Sequence, residues 1–434
     1  MRAAPLRVLM LARAVYPIHG FGGIERHVFH LVTHLMRQGV EVKLVIGRVA
    51  GSTPAAQLER IVTAASLKEH QDSYGSLLLT SRRYDHTSPL LRPNSILGRQ
   101  INYPLFSLAE GRLAASVVKS GMVDVVHSQG LCAWGYACVR EREPLVRRVP
   151  FIANPHGLEE YRTPDWRKRL AYIPFRALYS WAHRVADRVI ATDGCTQDDL
   201  PKYLRVDPAR VVVIPSAIDV DECLGAVRAE TRVELRARFK LGEAEPKLLS
   251  VGRLERNKGY HLLLDALAEL RPLLGPRWCW LLVGTGKERA ALQAQAQQLG
   301  LSEHIVFAGA LDDTELHSLY EEVDLFVHPT LYEGSSLVTL EAMIHSLPVV
   351  ASAAGGIPDK VFPQHNGLLV PPGDTPALIR ALQEALQQRA AWPSWGLHGK
   401  MIAETTFSWP AVARRTKAEY EWMLDAAASN HAVN

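Results

Sequence analysis

Short β-branched runs alternate with amphipathic helical patterns along almost the whole chain, and this alternation limits the fold more than any other feature. RVLMLA leads through a glycine-rich turn into IERHVFHLVTHLMRQG. There Ile24, Val28, Leu31, Val32 and Leu35 fall on one helical face, and Gly39 stands where a C-terminal cap belongs. EVKLVIG, VDVVHSQG, RVPFIANPHG, DRVIATD and RVVVIPSAID follow, each a buried-strand pattern ending in polar or small residues. Continuous apolar runs separated by helices are what a parallel sheet covered on both faces requires. After the charged stretch RAETRVELRARFKLGEAEP the pattern restarts with KLLSVGRL, GYHLLLDALAELRPLL, WCWLLVGTG, HIVFAGAL, DLFVHPT and LPVVASA.

The expected fold class is therefore α/β, with two doubly wound Rossmann-like domains in tandem. The first is placed at residues 1–217 and the second at 218–407. The tail at 408–434 reads as one more amphipathic helix that packs back across the junction. At 434 residues the chain is longer than a single core usually serves. In open parallel sheets the ligand lies beyond the carboxyl ends of the strands, so two such domains facing one another place those ends across a shared cleft.

Composition narrows the classes of function. With 47% hydrophobic and 22% charged residues this is an ordinary globular chain, and a net charge of +4 is too small to argue for nucleic acid. The five cysteines form no CxxC pair and no zinc spacing, as expected for reduced thiols in the cytoplasm. The basic, briefly apolar N-terminus reads as a first strand rather than a signal peptide. No stretch reaches the roughly 20 apolar residues of a membrane span.

Four strand ends carry candidate chemistry. Gly22 and Gly23 leave bare backbone at a helix N-terminus, where N–H groups and the dipole favour an anion. The blander reading is a tight turn, since Glu25 breaks the GxGxxG pattern counted from Gly20. Arg253 and Lys258 sit five apart in a polar loop after KLLSV and suit a diphosphate; taken alone they read better as solvated charges. In YEGSSLVTLEAM a helix starting near Ser335 offers free N–H groups at Ser335 and Ser336 and carries Glu341 about 8–9 Å along its axis. Glu333 precedes it in the loop; the plainer alternatives are a capping acid for Glu333 and a structural salt bridge for Glu341. His156 ends a strand before Gly157, and a lone histidine is more often structural.

Together, the glycine pair, the strand-end histidine, R-x4-K and E-x7-E resemble the retaining nucleotide-sugar glycosyltransferases of family 4, with the GT-B fold. VGRLERNKGYHLLLDAL, LLVGTGKER and YEGSSLVTLEAM are similar to that family's second domain almost phrase for phrase. The resemblance covers the full chain, including a terminal helix that crosses back to the first domain. It implies that Arg253 and Lys258 bind the donor diphosphate, that Glu341 binds ribose hydroxyls and Glu333 sugar hydroxyls, and that Ser335 and Ser336 lie near sugar or phosphate. It also places His156 beside the reacting sugar and Gly22 and Gly23 near the phosphates. It implies no cofactor beyond the nucleoside-diphosphate sugar, and an acceptor that is a glycan or a lipid-linked molecule.

Departures from the family pattern are Ser216-Ala217 in place of Asn-Gly, Ser336 in place of a glycine, and Asp193-Gly194 where a serine is usual. Asp219-Val220-Asp221 formally matches the metal-holding Asp-x-Asp of the other large glycosyltransferase fold, yet the Arg253/Lys258 pair already supplies charge for a diphosphate, so no metal is expected. Competing readings are a nucleotide-sugar 2-epimerase and a non-catalytic nucleotide-sugar-binding subunit. A dehydrogenase is disfavoured because Arg289 occupies the last glycine position after Gly284-Thr285-Gly286. YRTPDWRKRLAYIPFRALYSWAHR interleaves basic and aromatic residues, a pattern that suits peripheral contact with a membrane.

Overall fold

The computed structural model describes residues 4–19, 23–48, 53–64, 78–83, 96–156, 158, 161, 170 and 172–432. Two compact units emerge: residues 1–215 together with 412–434, and residues 216–411.

In the first unit seven parallel strands form one sheet. They are β1 (Arg7–Leu11), β2 (Glu41–Arg48), β3 (Leu78–Arg83), β4 (Val125–Gln129), β5 (Phe151–Asn154), β6 (Arg188–Ala191) and β7 (Val211–Val213), in the order β3-β2-β1-β4-β5-β6-β7. The expected first helix spans Gly23–Arg37 and buries Val28, Leu31, Val32 and Leu35. It ends as the sequence suggests. Gly39 takes φ +77°, its N–H donates to the Met36 carbonyl, and the Val40 N–H donates to that of Leu35, the paired bonds of a Schellman cap.

The second unit holds β8 (Lys247–Val251), β9 (Cys279–Val283), β10 (Ile305–Gly309), β11 (Leu325–His328), β12 (Val349–Ser352) and β13 (Gly367–Val370), in the order β10-β9-β8-β11-β12-β13. Both faces of this sheet are buried, as the continuous apolar runs require. Along β9, Trp280 and Leu282 join one core while Cys279, Leu281 and Val283 join the other. Two strands, β3 and β13, were not anticipated from the sequence, and both lie at sheet edges.

In each sheet the strand order reverses once, between β1 and β4 and between β8 and β11. Loops leaving neighbouring strands there diverge to opposite faces and open a crevice.

The terminal helix, Trp409–Ala432, begins in the second unit and from Val412 onward belongs to the first. Lys417 Nζ donates to the Gln38 carbonyl at 3.0 Å, and Arg415 Nη2 to that of Val213 at 3.1 Å. Glu419 pairs with Arg188, whose guanidinium lies 4.5 Å from the Trp422 ring centroid.

Candidate active site

In the second unit the loops after β8 and β11 meet at the strand-order reversal. The Leu331 N–H and the Thr330 hydroxyl both donate to the Asn257 carbonyl, at 2.7 and 3.1 Å, which ties the loops together. That seam brings Lys258 to Glu333, Nζ to Oε2 at 2.6 Å. His328, which ends β11, donates from Nε2 to the same carboxylate oxygen at 2.9 Å. Burial works to raise the Glu333 pKa, but the His328 hydrogen bond and the Lys258 charge outweigh it and hold the acid down at about 2. For His328 burial wins and the pKa is lowered, so the ring is neutral with its proton on the nitrogen facing Glu333.

Arg253 is held differently. Its side chain is 74% exposed and pairs with Glu255 at 2.9 Å. Lys360, in the loop after β12, is 1% exposed and donates to Ser335 Oγ at 3.3 Å and to the Ser336 carbonyl at 3.4 Å.

The helix carrying Glu341 starts at Leu337, two residues after Ser335. Ser336 occupies the N-cap at φ +47°, a left-handed conformation, and its Oγ lies 2.8 Å from Thr339 Oγ1. Glu341 therefore stands on the second turn, closer to the N-terminus than expected, about 6 Å along the axis. Half-buried, it accepts from the Tyr320 hydroxyl at 3.1 Å. That partner is a neutral O–H. Asp219, the first acid of the Asp-x-Asp match, is the N-cap of the helix Val220–Gly225 and accepts from the Glu222 N–H at 2.9 Å.

In the first unit, Gly23 opens its helix, and a β-carbon added there would meet no described atom within 4 Å; Gly22 lies outside the described residues. His156 follows β5 at φ +64°. Its Nε2 donates to Gln129 Oε1 at 2.6 Å, and its ring meets that of His27 edge-on, centroids 4.6 Å apart. Burial, with smaller contributions from His127 and Arg13, lowers the His156 pKa to about 3. Beyond β1, β4 and β5 lies a cavity of ≈ 290 Å³, whose lining includes Arg13, Tyr103, Phe106, Tyr161, Arg176 and Tyr179.

Sequence reading had not singled out His328, Lys360 or this cavity. His328 ends a strand as His156 does, so the same rule was available for it. Lys360 follows the glycine pair Gly355-Gly356 after β12, a weaker signal of the same kind.

Residues 21–222 match the family described as Glycosyltransferase Family 4, and residues 231–400 the family described as Glycosyl transferases group 1. The chain is 30% identical over 316 residues to the alpha-maltose-1-phosphate synthase of Mycolicibacterium smegmatis, covering 68% of this chain and 78% of that one. The chain belongs to glycosyltransferase family 4. The family-wide likeness extends to the glycogen synthase of Mycobacterium tuberculosis, 27% identical over 423 residues, or 96% of this chain and 94% of that one. The GT-B fold is shared with Anabaena Alr3699/HepE, solved in complex with UDP, at 20% identity and a TM-score of 0.64, covering 96% of this chain and 100% of that one. Glycosyl transfer is the chemistry of such a chain, and the epimerase and non-catalytic alternatives are not favoured. Among the described residues no helix is long and apolar enough to cross a membrane.

Proposed function

We propose that this glycosyltransferase moves a sugar from a nucleoside-diphosphate sugar to an acceptor hydroxyl, with retention at the anomeric carbon and without a required metal. The observation that carries the reading is the group Lys258, His328 and Glu333 at the β8/β11 reversal, with Lys360 at Ser335 and Ser336. Arg253 and Lys258 supply positive charge for the departing diphosphate, and the N–H groups opening the helix Leu337–Ile344 add to it. Donors already aimed at a developing charge stabilise it without reorganising. Glu341, whose partner here is a hydroxyl, suits the hydroxyls of a ribose. Glu333, held ionised, suits those of the sugar, with Ser335 and Ser336 beside it. The family resemblance assigns His156 to the reacting sugar and Gly22 and Gly23 to the phosphates.

In the step itself the anomeric carbon–oxygen bond to the diphosphate breaks as the acceptor oxygen bonds to the same face. The acceptor's proton passes to a donor phosphate oxygen. Glu333 already accepts from Lys258 and His328, which supports a binding role over that of a covalent nucleophile. The lysine charge at the β8/β11 reversal supports the metal-free reading, as does the use of Asp219 as a helix cap. The acceptor is a glycan or a lipid-linked molecule in polysaccharide, lipopolysaccharide or glycolipid assembly, and the aromatic cavity of the first unit suits its rings. Leu170 and Ile173, 62% and 54% exposed, support peripheral membrane contact; sedimentation with anionic vesicles at low salt tests it.

Melting curves with UDP, GDP and ADP and their sugars test the donor site. A nucleotide at about 100 times its Kd stabilises by roughly 2.7 kcal/mol. A shift with one base, lost in Arg253→Ala and Glu341→Ala, supports the reading; no shift with any of them removes its basis. Turnover that survives chelator and gives product of unchanged anomeric configuration supports the two finer points.

A further inference from the structure

The sequence HSQ at the end of β4 is polar, yet His127, Ser128 and Gln129 are all buried, at 0%, 0% and 3% exposure. Buried polar groups need partners. His127 and Gln129 are two apart on one strand and so share a face of the sheet. From that face runs a chain of short contacts. Tyr420, fully buried on the terminal helix, places its hydroxyl 2.6 Å from His127 Nδ1. His127 Nε2 lies 3.1 Å from the Gln129 amide nitrogen, which also donates to Met10 Sδ at 3.1 Å. Gln129 Oε1 then stands 2.6 Å from His156 Nε2.

Burial pushes His127, like His156, down to about 3, so both rings are neutral and each has one donor and one acceptor nitrogen. The amide decides which is which. Its NH2 donates to His127 Nε2, so the His127 proton sits on Nδ1, toward Tyr420. Its carbonyl accepts from His156 Nε2–H, so the unprotonated nitrogen of His156 is Nδ1. A second restraint acts on the backbone, where His156 holds φ +64° and its N–H donates to Asn154 Oδ1 at 2.9 Å.

We propose that Tyr420, His127 and Gln129 are positioning residues for His156, a buried chain that fixes its tautomer and direction and makes both depend on the docking of the terminal helix. This rests on the reading that His156 stands beside the reacting sugar. The terminal helix thus does more than cover the first unit. Its Tyr420 hydroxyl is the far end of a hydrogen-bonded line to the site.

The test is Tyr420→Phe, which keeps the ring and removes the hydroxyl, in the full chain. Long-range proton–nitrogen NMR of 15N-histidine protein, assigned with His127→Asn and His156→Asn, reports each tautomer. The wild type should show His156 protonated at Nε2, and Tyr420→Phe should move both rings toward a mixture. Misplacing a reacting-site group typically costs about 10- to 100-fold, so kcat should fall by that order while KM for the donor stays within about threefold. In a His156→Ala background the Tyr420→Phe loss should vanish. A helix that merely packs predicts the reverse, namely unchanged tautomers and a loss that persists without His156; either result overturns the proposal. If His156→Ala leaves turnover intact, the role of His156 at the sugar fails, and the NMR shifts alone then decide the chain. Should Tyr420→Phe not fold, Gln129→Leu breaks the same line from β4 and is read in the same way.

Discussion

Lys258 Nζ and Glu333 Oε2 stand 2.6 Å apart, with their side chains 13% and 16% exposed. A charge-assisted contact this short and this dry couples the two proposed roles, phosphate binding by the lysine and hydroxyl binding by the acid. Substituting each in turn should separate them. Lys258→Ala removes charge from the diphosphate and should weaken bare nucleotide and nucleotide sugar alike, by about 10- to 100-fold for a lost charged hydrogen bond. Glu333→Gln keeps the shape but not the charge. It should leave the bare nucleoside diphosphate within about threefold and lower kcat by about 100-fold, since the sugar loses a charged acceptor while the amide oxygen still accepts from Lys258. Calorimetric titration with both ligands checks this. An equal loss of affinity for both in Glu333→Gln would remove the sugar from its neighbourhood.

Ser336 holds φ +47° at the cap of the helix that carries Glu341. A left-handed conformation costs a residue with a β-carbon roughly 1–2 kcal/mol. Its hydroxyl recovers part of this through Thr339 Oγ1 at 2.8 Å. Ser336→Ala keeps the strain and loses the contact, so it should destabilise by about 1 kcal/mol. Ser336→Gly loses the contact and the strain together and should be more stable than the alanine variant by about 1 kcal/mol. Urea unfolding of the three proteins measures the order, and an alanine variant equal to the glycine variant would contradict a strained cap.

How much of this was legible in the sequence follows from where each signal comes from. Strands buried on both faces write continuous apolar runs, which is why β1, β8 and β9 were readable. LLTSRR, polar over its second half, and GLLV, only four residues long, passed unnoticed. Arg253, Lys258, Glu333 and Glu341 were singled out because family spacing keeps them in two short motifs. The salt bridge between the motifs was not, since nothing in a spacing says that the β8 and β11 loops are stitched at Asn257. Nor does a run of small residues announce that Ser336 will take a positive φ, and the helix start was misplaced by that local choice. Tyr103, Tyr161 and Tyr179 reach one cavity from separate segments, and no linear pattern records such a meeting.

Glu110, 0% exposed on the helix Ile96–Lys119, gives the first unit a pH dependence. Burial raises its pKa from an ordinary 4.5 to about 8, opposed only in part by the Cys132 thiol and the Ala12 backbone. The folded state therefore keeps a proton that the unfolded chain has released above pH 4.5. That contribution to stability is complete below the unfolded value and is lost as pH rises toward the folded one. At about 1.4 kcal/mol per pKa unit the loss is roughly 4–5 kcal/mol. Glu110→Gln cannot ionise and should flatten the profile, matching the wild type near pH 5 and exceeding it near pH 9. Denaturant unfolding across that range is the measurement, and parallel profiles would show that Glu110 is not the group responsible.

Gly355, in the loop after β12, takes φ +56°, and a β-carbon there would lie 2.2 Å from the Glu333 carbonyl oxygen. Contacts that close do not occur, so a side chain must displace the backbone that presents Glu333. The Gly356 N–H donates to the Gly334 carbonyl at 2.9 Å, so the two loops cannot part freely. Gly355→Ala should therefore pay twice, in strain and in a shifted acid, destabilising by about 2 kcal/mol and lowering kcat by about 100-fold. Because Lys258 stands on the loop after β8, which is tied at Asn257 to Thr330 and Leu331 and not to this loop, affinity for a bare nucleoside diphosphate should change by no more than about threefold. Turnover, nucleotide titration and melting of the one variant read all three effects. Full activity in a destabilised protein would mean that the loop after β12 supports the fold without setting the position of Glu333.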